Sequence, residues 1–211
     1  MRELLEPFVA GEGSATSSVG VLTGELLGQL SAYLDLLVRW NARVSLTAIR
    51  SPEEMVERHF GESLFTGLRL QNRLEPGAQI LDYGSGAGFP GLPMQLLCPE
   101  LRMTLAESQA RKVAFLREAI RAVGATAEVW PRRVEEMPKD RRFSAVALRA
   151  VDRMETSLAV AEGRVGMGGW MAVLAGRDAE MPPVAEEFSL PQAEHRRLVL
   201  WRPGSDVPRG T

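Results

Sequence analysis

The stretch Asp82-Tyr83-Gly84-Ser85-Gly86-Ala87-Gly88-Phe89-Pro90-Gly91 has the residue types and spacing that point to chemistry. It follows a short apolar run, as a loop at the carboxyl end of a buried strand would, and that is where open α/β sheets bind ligands. Glycine lets the backbone approach a ligand closely and adopt positive φ without a Cβ clash. The spacing is D-x-G-x-G-x-G, whereas the dinucleotide fingerprint G-x-G-x-x-G needs glycine where Phe89 stands. With Pro90 and Pro93, the loop suits an uncharged nucleoside and amino-acid ligand better than a pyrophosphate. Its partner is Glu107, 19 residues after Gly88, at the end of Met103-Thr104-Leu105-Ala106-Glu107. A carboxylate at a strand tip accepts from both ribose hydroxyls, each charge-assisted bond contributing about 1.5–3 kcal/mol, and repels a 2′-phosphate. Loop and acidic strand end in one βαβ unit point to S-adenosylmethionine, with NAD the lesser option.

The elements that must position these groups follow from hydrophobic period. Leu22, Leu26, Leu27, Leu30, Leu34, Leu37 and Val38 form one apolar stripe of a long helix ending near Trp40-Asn41. A short first helix precedes it, separated by a loop of small polar residues from Gly11 to Gly20. Ser51-Pro52-Glu53-Glu54 predicts a helix start with Ser51 as cap and Glu54 reaching back to the cap amide. Helical character runs on through His59 to about Leu70. Strands are expected at Gln79–Tyr83, Arg102–Ala106, Ala127–Trp130, Ser144–Leu148 and Gly169–Leu174, closed by a pair at Phe188–Leu190 and Leu198–Trp201. Between them, Ser108 is expected to cap a helix stopped at Gly124, and Asp152 to begin another with Glu155 in capping-box position. The pattern predicts an α/β protein with a doubly wound parallel sheet over 76–211 and a helical segment over 1–75 packed on it.

Composition narrows the function classes. The 211 residues carry 25 basic and 27 acidic side chains, net −2, so no strong basic footprint announces a nonspecific nucleic-acid binder. Lysine occurs only at Lys112 and Lys139, so 23 of the 25 are arginine, suited to phosphate and base contacts but equally a matter of composition. A single Cys98 excludes an internal disulfide framework, and with only His59 and His195 no Cys/His metal cluster is expected. No apolar run reaches the roughly 18–20 residues of a membrane span, and the N-terminus lacks a secretory h-region. A soluble cytoplasmic protein is expected.

From residue 36 to 176 the sequence resembles the bacterial small-subunit ribosomal RNA guanine-N7 methyltransferases, the glucose-inhibited division protein B family. The resemblance rests on Trp40-Asn41-Ala42-Arg43-Val44-Ser45-Leu46-Thr47-Ala48-Ile49, Arg58-His59 with Glu62-Ser63-Leu64, the loop from Asp82 to Gly91, Arg133-Val134-Glu135-Glu136, and Leu148-Arg149-Ala150. It implies a class I, Rossmann-like methyltransferase fold and S-adenosylmethionine contacts at Gly84, Gly86, Gly88, Phe89, Glu107, Val134, Glu135 and Arg149. It further places Asn41, Arg133 and Arg149 at or near the active site. By residue type alone Arg149 also suits a strand-end ion pair, Asn41 a helix-end residue satisfying local backbone, and His59 and Trp40 packing. Two departures stand out: Glu62 replaces the family's aspartate, and Ala175 stands where the family has lysine, with Arg177 two residues on. The alanine keeps open a small-molecule methyltransferase, or a ribosome-associated cofactor-binding module without catalysis.

The resemblance implies methyl transfer to a guanine of 16S ribosomal RNA within the small subunit, by a monomer without membrane attachment. Guanine N7 carries a free lone pair and no proton, so in-line attack needs no general base. The A-form major groove hides N7, so the target is expected in a loop. Arg111, Lys112, Arg132, Arg133, Arg141 and Arg142 are the candidate RNA contacts. The tail from Pro203 to Thr211 is given no function.

Overall fold

The computed structural model describes residues 1–10, 18–149, 154–183 and 185–204. Of the loop expected over 11–20, residues 11–17 lie outside the described residues and 18–20 are helical instead, a short turn leading into the next helix. The Asp152/Glu155 capping box and the tail beyond 204 lie outside the described residues or side chains.

Three helices open the chain: α1 (Arg2–Val9), α2 (Ser18–Val21) and the long α3 (Gly24–Asn41). Thr23 caps α3 by accepting from the Leu26 amide at 3.1 Å. Of the expected stripe Leu22, Leu26, Leu30 and Leu37 are buried, Leu27 and Leu34 half-buried and Val38 exposed, while Tyr33 and Leu36 complete the buried face. Ser51 caps α4 (Pro52–Met55) as expected, its Oγ accepting from the Glu54 amide at 3.3 Å. Glu54 itself does not reach back. Its carboxylate pairs with Arg58 at 3.2 Å, a charge-assisted bond one turn on that outcompetes a neutral amide. The chain then widens into a π-helical turn, Val56–Gly61, before α5 (Glu62–Gln71). Periodicity predicts one uninterrupted helix here.

From residue 79 strand and helix alternate: β1 (Gln79–Tyr83), α6 (Gly91–Leu97), β2 (Arg102–Ala106), α7 (Ala110–Val123), β3 (Glu128–Trp130), a 3₁₀ turn (Val134–Glu136), β4 (Phe143–Arg149), α8 (Met154–Glu162) and β5 (Val165–Gly176). An antiparallel pair, β6 (Glu186–Ser189) and β7 (Arg196–Trp201), closes the sheet in the order β3-β2-β1-β4-β5-β7-β6. β5 starts four residues earlier than the apolar run suggests, because Val165 pairs with Phe143 before a register shift. Ser108 does not cap α7. Gln109 holds the cap position and its amide donates to Glu107 Oε1 at 2.7 Å, a carboxylate being the stronger acceptor at a helix N-terminus. Gly124, at φ +68°, ends α7 as expected.

Winding runs outward from β1 to β3, then reverses through β4 and β5, so the switch point lies between the carboxyl ends of β1 and β4. Both faces of the sheet are covered, as a parallel sheet requires. Ile80 faces a core shared with Leu5, Leu30, Tyr33, Phe60 and Leu116, while Leu81, on the other face, joins Val146, Met171, Val173 and Ala161 of α8.

Tyr33 joins α3 to the glycine loop. Fully buried, it stacks on Phe89 at 5.3 Å and donates its hydroxyl to the Ala87 carbonyl. Gly88 sits against that hydroxyl with φ +87°, so a Cβ there would collide with it. Tyr33→Phe leaves a buried carbonyl without its donor, at a cost of about 1–3 kcal/mol. Urea unfolding should show a lower midpoint with an unchanged m-value; an unaltered midpoint would mean the bond contributes nothing.

Candidate active site

Two groups of residues meet the carboxyl edge of β1, β2 and β4. The first is a cleft of about 140 Å³ lined by Tyr83, Gly84, Ala106, Glu107, Ser108 and Arg132 to Glu135. It therefore brings together five of the sequence-derived candidates, Gly84, Glu107, Arg133, Val134 and Glu135. Glu107 is buried, with Oε2 accepting from the Gly86 amide at 3.1 Å and Oε1 from the Gln109 amide. A carboxylate has about four acceptor sites, so two remain for hydroxyl donors. Gly86, at φ +59°, has only the Gly84 carbonyl within 4 Å of where a Cβ would stand, so open space lies beside the loop. Arg164, on the far side, donates to the carbonyls of Val134, Met137 and Pro138 and fixes the turn that carries Val134 and Glu135. No pattern in the residue order signals that clamp, since its acceptors are backbone atoms brought near only by the fold.

These features fit S-adenosylmethionine: an uncharged cradle of backbone with positive φ, and one fixed carboxylate at the second strand tip. Gly84, Gly86, Glu107, Val134 and Glu135 are the residues that could hold it.

The second group centres on Arg149, one residue past the Tyr83–Leu148 pair. Its guanidinium lies 5.2 Å above the Phe89 ring, donates to the Arg58 carbonyl at 2.9 Å and approaches His59 Nδ1 at 2.7 Å. Arginine has no acceptor, so Nδ1 accepts and Nε2 carries the hydrogen, donated to Thr47 Oγ1 at 2.8 Å. Thr47 is held in turn by Asn41, whose Oδ1 accepts from the Leu46 and Thr47 amides at 2.9 and 3.0 Å while Nδ2 donates to Ile49. Asn41 thus spends its amide on the 46–49 loop and reaches Arg149 only through Thr47 and His59. Phe89 is also inward: its ring is buried among Tyr33, His59 and Phe60, and its amide donates to Ser85.

His59 does more than pack. Its type gives no hint of this, because a buried histidine on a helix usually signifies core; the π turn is what aims it at Arg149. Burial first, then the Arg149 and Arg58 charges, pushes its pKa down to about 2, so the ring is neutral. Burial lowers Arg149 to about 10, with Glu62 pulling the other way, and it stays cationic at neutral pH.

Glu62 is the buried counter-charge, 2.8 Å from Arg196 of β7 though out of line for a hydrogen bond. Burial raises its pKa and Arg196, Arg149 and Arg58 oppose that. Arg177, considered as a stand-in for a lysine at 175, instead turns to the Glu194 carbonyl at 3.4 Å, and Ala175 is buried. The cation delivered to this edge is Arg196, because antiparallel pairing sets it opposite Gly176, next to Ala175. Arg141 and Arg142 belong to the other edge, at the start of β4. Arg141 is engaged by Glu128 and Thr104, and Arg142 donates to the Lys139 carbonyl, so neither is available as an RNA contact at this site. Among the described residues no cluster of His, Cys, Asp or Glu has metal-site geometry, and no helix is long and apolar enough to cross a membrane.

Asp82, fully buried, accepts the Gly91 amide on Oδ2 at 3.0 Å while Oδ1 has no donor. Burial raises its pKa to about 7, the Gly91 bond opposing. An acid whose pKa is higher folded than unfolded contributes its stability at low pH and loses it as pH rises from about 4 through about 7. Urea unfolding of wild type and Asp82→Asn across that range should show wild type losing stability relative to the variant, then levelling off. Parallel curves would mean Asp82 does not titrate there.

The model of the rRNA small subunit methyltransferase G family matches residues 26–198. A ribosomal RNA small subunit methyltransferase G of Desulfitobacterium hafniense is 31% identical over 208 residues, covering 89% of this chain and 85% of the relative. That of Myxococcus xanthus is 36% identical over 185 residues, covering 82% of each. Among solved structures, a T. thermophilus 16S rRNA N2 G1207 methyltransferase in complex with AdoMet and guanosine superposes with a TM-score of 0.56 at 19% identity, over 66% of this chain and 42% of that one. The sheet is thus that of a class I, Rossmann-like methyltransferase, and the chain belongs to the rRNA small subunit methyltransferase G family.

Proposed function

We propose that this chain transfers a methyl group from S-adenosylmethionine to N7 of a guanine in 16S ribosomal RNA, acting as a monomer on the small subunit. The observation that carries the reading is the juxtaposition, at one switch point, of the Gly84–Glu107 cradle with the Arg149 guanidinium. Both relatives above are named for methylation of the ribosomal small subunit's RNA. When bound, the cofactor supplies an electrophilic methyl on a sulfonium.

The chain's own residues bind, orient and exclude water. Glu107 takes the ribose hydroxyls, Gly84 and Gly86 present backbone, and Val134 and Glu135 flank the adenine. Gly88 and Phe89 shape the loop from behind: the first by its close approach to Tyr33, the second by its ring. Arg133 stands on the cofactor side. No proton need leave N7, and His59 is not poised to take one, since its Nδ1 lone pair is occupied by Arg149. A neutral His59 also adds no charge against the purine cation that forms. Arg149 stays fixed by the Arg58 carbonyl and His59, aimed at substrate O6, phosphate or the cofactor carboxylate, with Glu62 offsetting its charge. Asn41 is a positioning residue in this scheme. Residues 1–75 serve as a buttress to the catalytic part rather than a separate unit, a reading supported by the core shared between Leu30, Tyr33, Phe60 and Ile80.

Mapping N7-methylguanine in 16S RNA from a host lacking its own enzyme tests this directly. Wild type should restore one modified guanine, and an unchanged map would remove the proposal. Arg149→Ala should lower turnover by about a hundredfold or more without unfolding the chain; near wild-type turnover would remove Arg149 from the reaction. Calorimetry should show S-adenosylmethionine binding and NAD not. Glu107→Ala should weaken that binding by at least roughly 10- to 100-fold, the range expected for the loss of a single one of its two charge-assisted bonds. Equal affinity would take the ribose off Glu107.

A further inference from the structure

Among the described residues the ion pairs leave two helices out. The five pairs engage Arg58, Arg73, Arg141, Arg196 and Arg197. None involves the packed helices α3 and α7 or the turn after α3, where Arg39, Arg43, Arg111 and Arg117 are exposed. Between these helices lies a cleft of about 620 Å³ whose walls include Arg39, Trp40, Arg43, Val44 and Glu118. That volume is within the roughly 300–1,000 Å³ usual for ligand clefts.

The Trp40 ring is fixed in place. Its Nε1 donates to Glu118 Oε2 at 3.2 Å, and it meets Phe115 edge-on at 5.6 Å. A held, half-buried indole flanked by two arginines with no ion pair suits a base that stacks while its phosphates are neutralised. The half-buried acid in the cleft, Glu118, is engaged by the indole, and Asp35, exposed on α3 one turn before Arg39, forms no ion pair with it. The first turn of α7 adds the basic side chains Arg111 and Lys112 on the same helix as Glu118. Position matters too. Trp40 and Arg43 bracket Asn41, whose loop leads through Thr47 and His59 to Arg149.

We propose that this cleft holds a nucleotide flanking the target guanine, as part of a single-stranded segment of the RNA substrate, with Trp40 as stacking platform and Arg39 and Arg43 as phosphate contacts. This rests on the RNA methyltransferase reading for its substrate, and names where that substrate docks.

The test titrates a fluorescein-labelled single-stranded RNA dodecamer with the full chain at several KCl concentrations, reading anisotropy. Arg39→Ala with Arg43→Ala should bind at least fivefold more weakly at low salt. The slope of log affinity against log salt should flatten by roughly 1.4, about 0.7 for each phosphate that is no longer neutralised. Calorimetric affinity for S-adenosylmethionine and Tm should not move. Arg102→Ala, an exposed arginine at the opposite edge of the sheet, should match wild type. The proposal is overturned if the double variant behaves like Arg102→Ala, if wild type does not bind the RNA at low salt, or if labelled polyglutamate of equal charge binds as tightly. Methylation assayed alongside keeps the two readings apart: an enzyme that binds this way yet modifies no 16S RNA supports the surface and removes the activity.

Discussion

The site depends on one aromatic stack. Phe89, in the glycine loop, lies between Tyr33 of α3 and His59 of the π turn, at 5.3 and 4.8 Å, with Phe60 edge-on at 5.2 Å. Offset and edge-to-face contacts of this kind contribute about 0.5–1.5 kcal/mol each beyond the burial of the rings. Their geometric effect is larger. A flexible loop rich in glycine would lose much entropy on ordering, and the stack removes that freedom at the position where loop, N-terminal helices and Arg149 converge. The Tyr33 hydroxyl on the Ala87 carbonyl sets the height of the loop, and Gly88 admits the approach.

Behind the stack the buried Glu62 carboxylate meets a set of charges, from half-buried to exposed, that no single pair explains. Arg149, Arg196 and Arg58 surround Glu62, and burial works against Arg149, Arg196 and Glu62 while attraction between the opposite charges offsets it. Such groups are costly to bury and are retained where a site needs them. Here the arrangement keeps one guanidinium cationic and stationary next to a neutral imidazole. That is the electrostatics suited to a reaction in which no proton is taken and a cation develops on the substrate. Glu62 extends the same logic: one methylene longer than aspartate, it reaches across to β7.

Much of this architecture was legible in residue order. The strands at Gln79–Tyr83 and Arg102–Ala106, the glycine stop at Gly124 and the closing antiparallel pair follow from period and punctuation, which are local properties. The cleft around Glu107 was legible because a glycine loop and the next strand tip are neighbours by the βαβ connection itself. The second group was only half legible. Arg149 could be named from resemblance, but not what holds it, since Thr47, His59 and Arg58 come from a loop and a π turn that hydrophobic period cannot distinguish from ordinary helix.

Sequence by itself determined the doubly wound sheet, the edge at which the Glu107 cleft forms and the glycine loop and acidic strand tip beside it, because each is set by short-range pattern, while Val134 and Glu135 were named only through the family resemblance. Tertiary structure decided which charges meet. Arg196 rather than Arg177 comes to Glu62, because strand pairing sets residue 196 opposite 176, and Arg141 is committed to Glu128 at the far edge. Arginines are alike in a sequence; only the distances the fold imposes separate the one held against His59 and Phe89 at the switch point from the one that closes a surface ion pair.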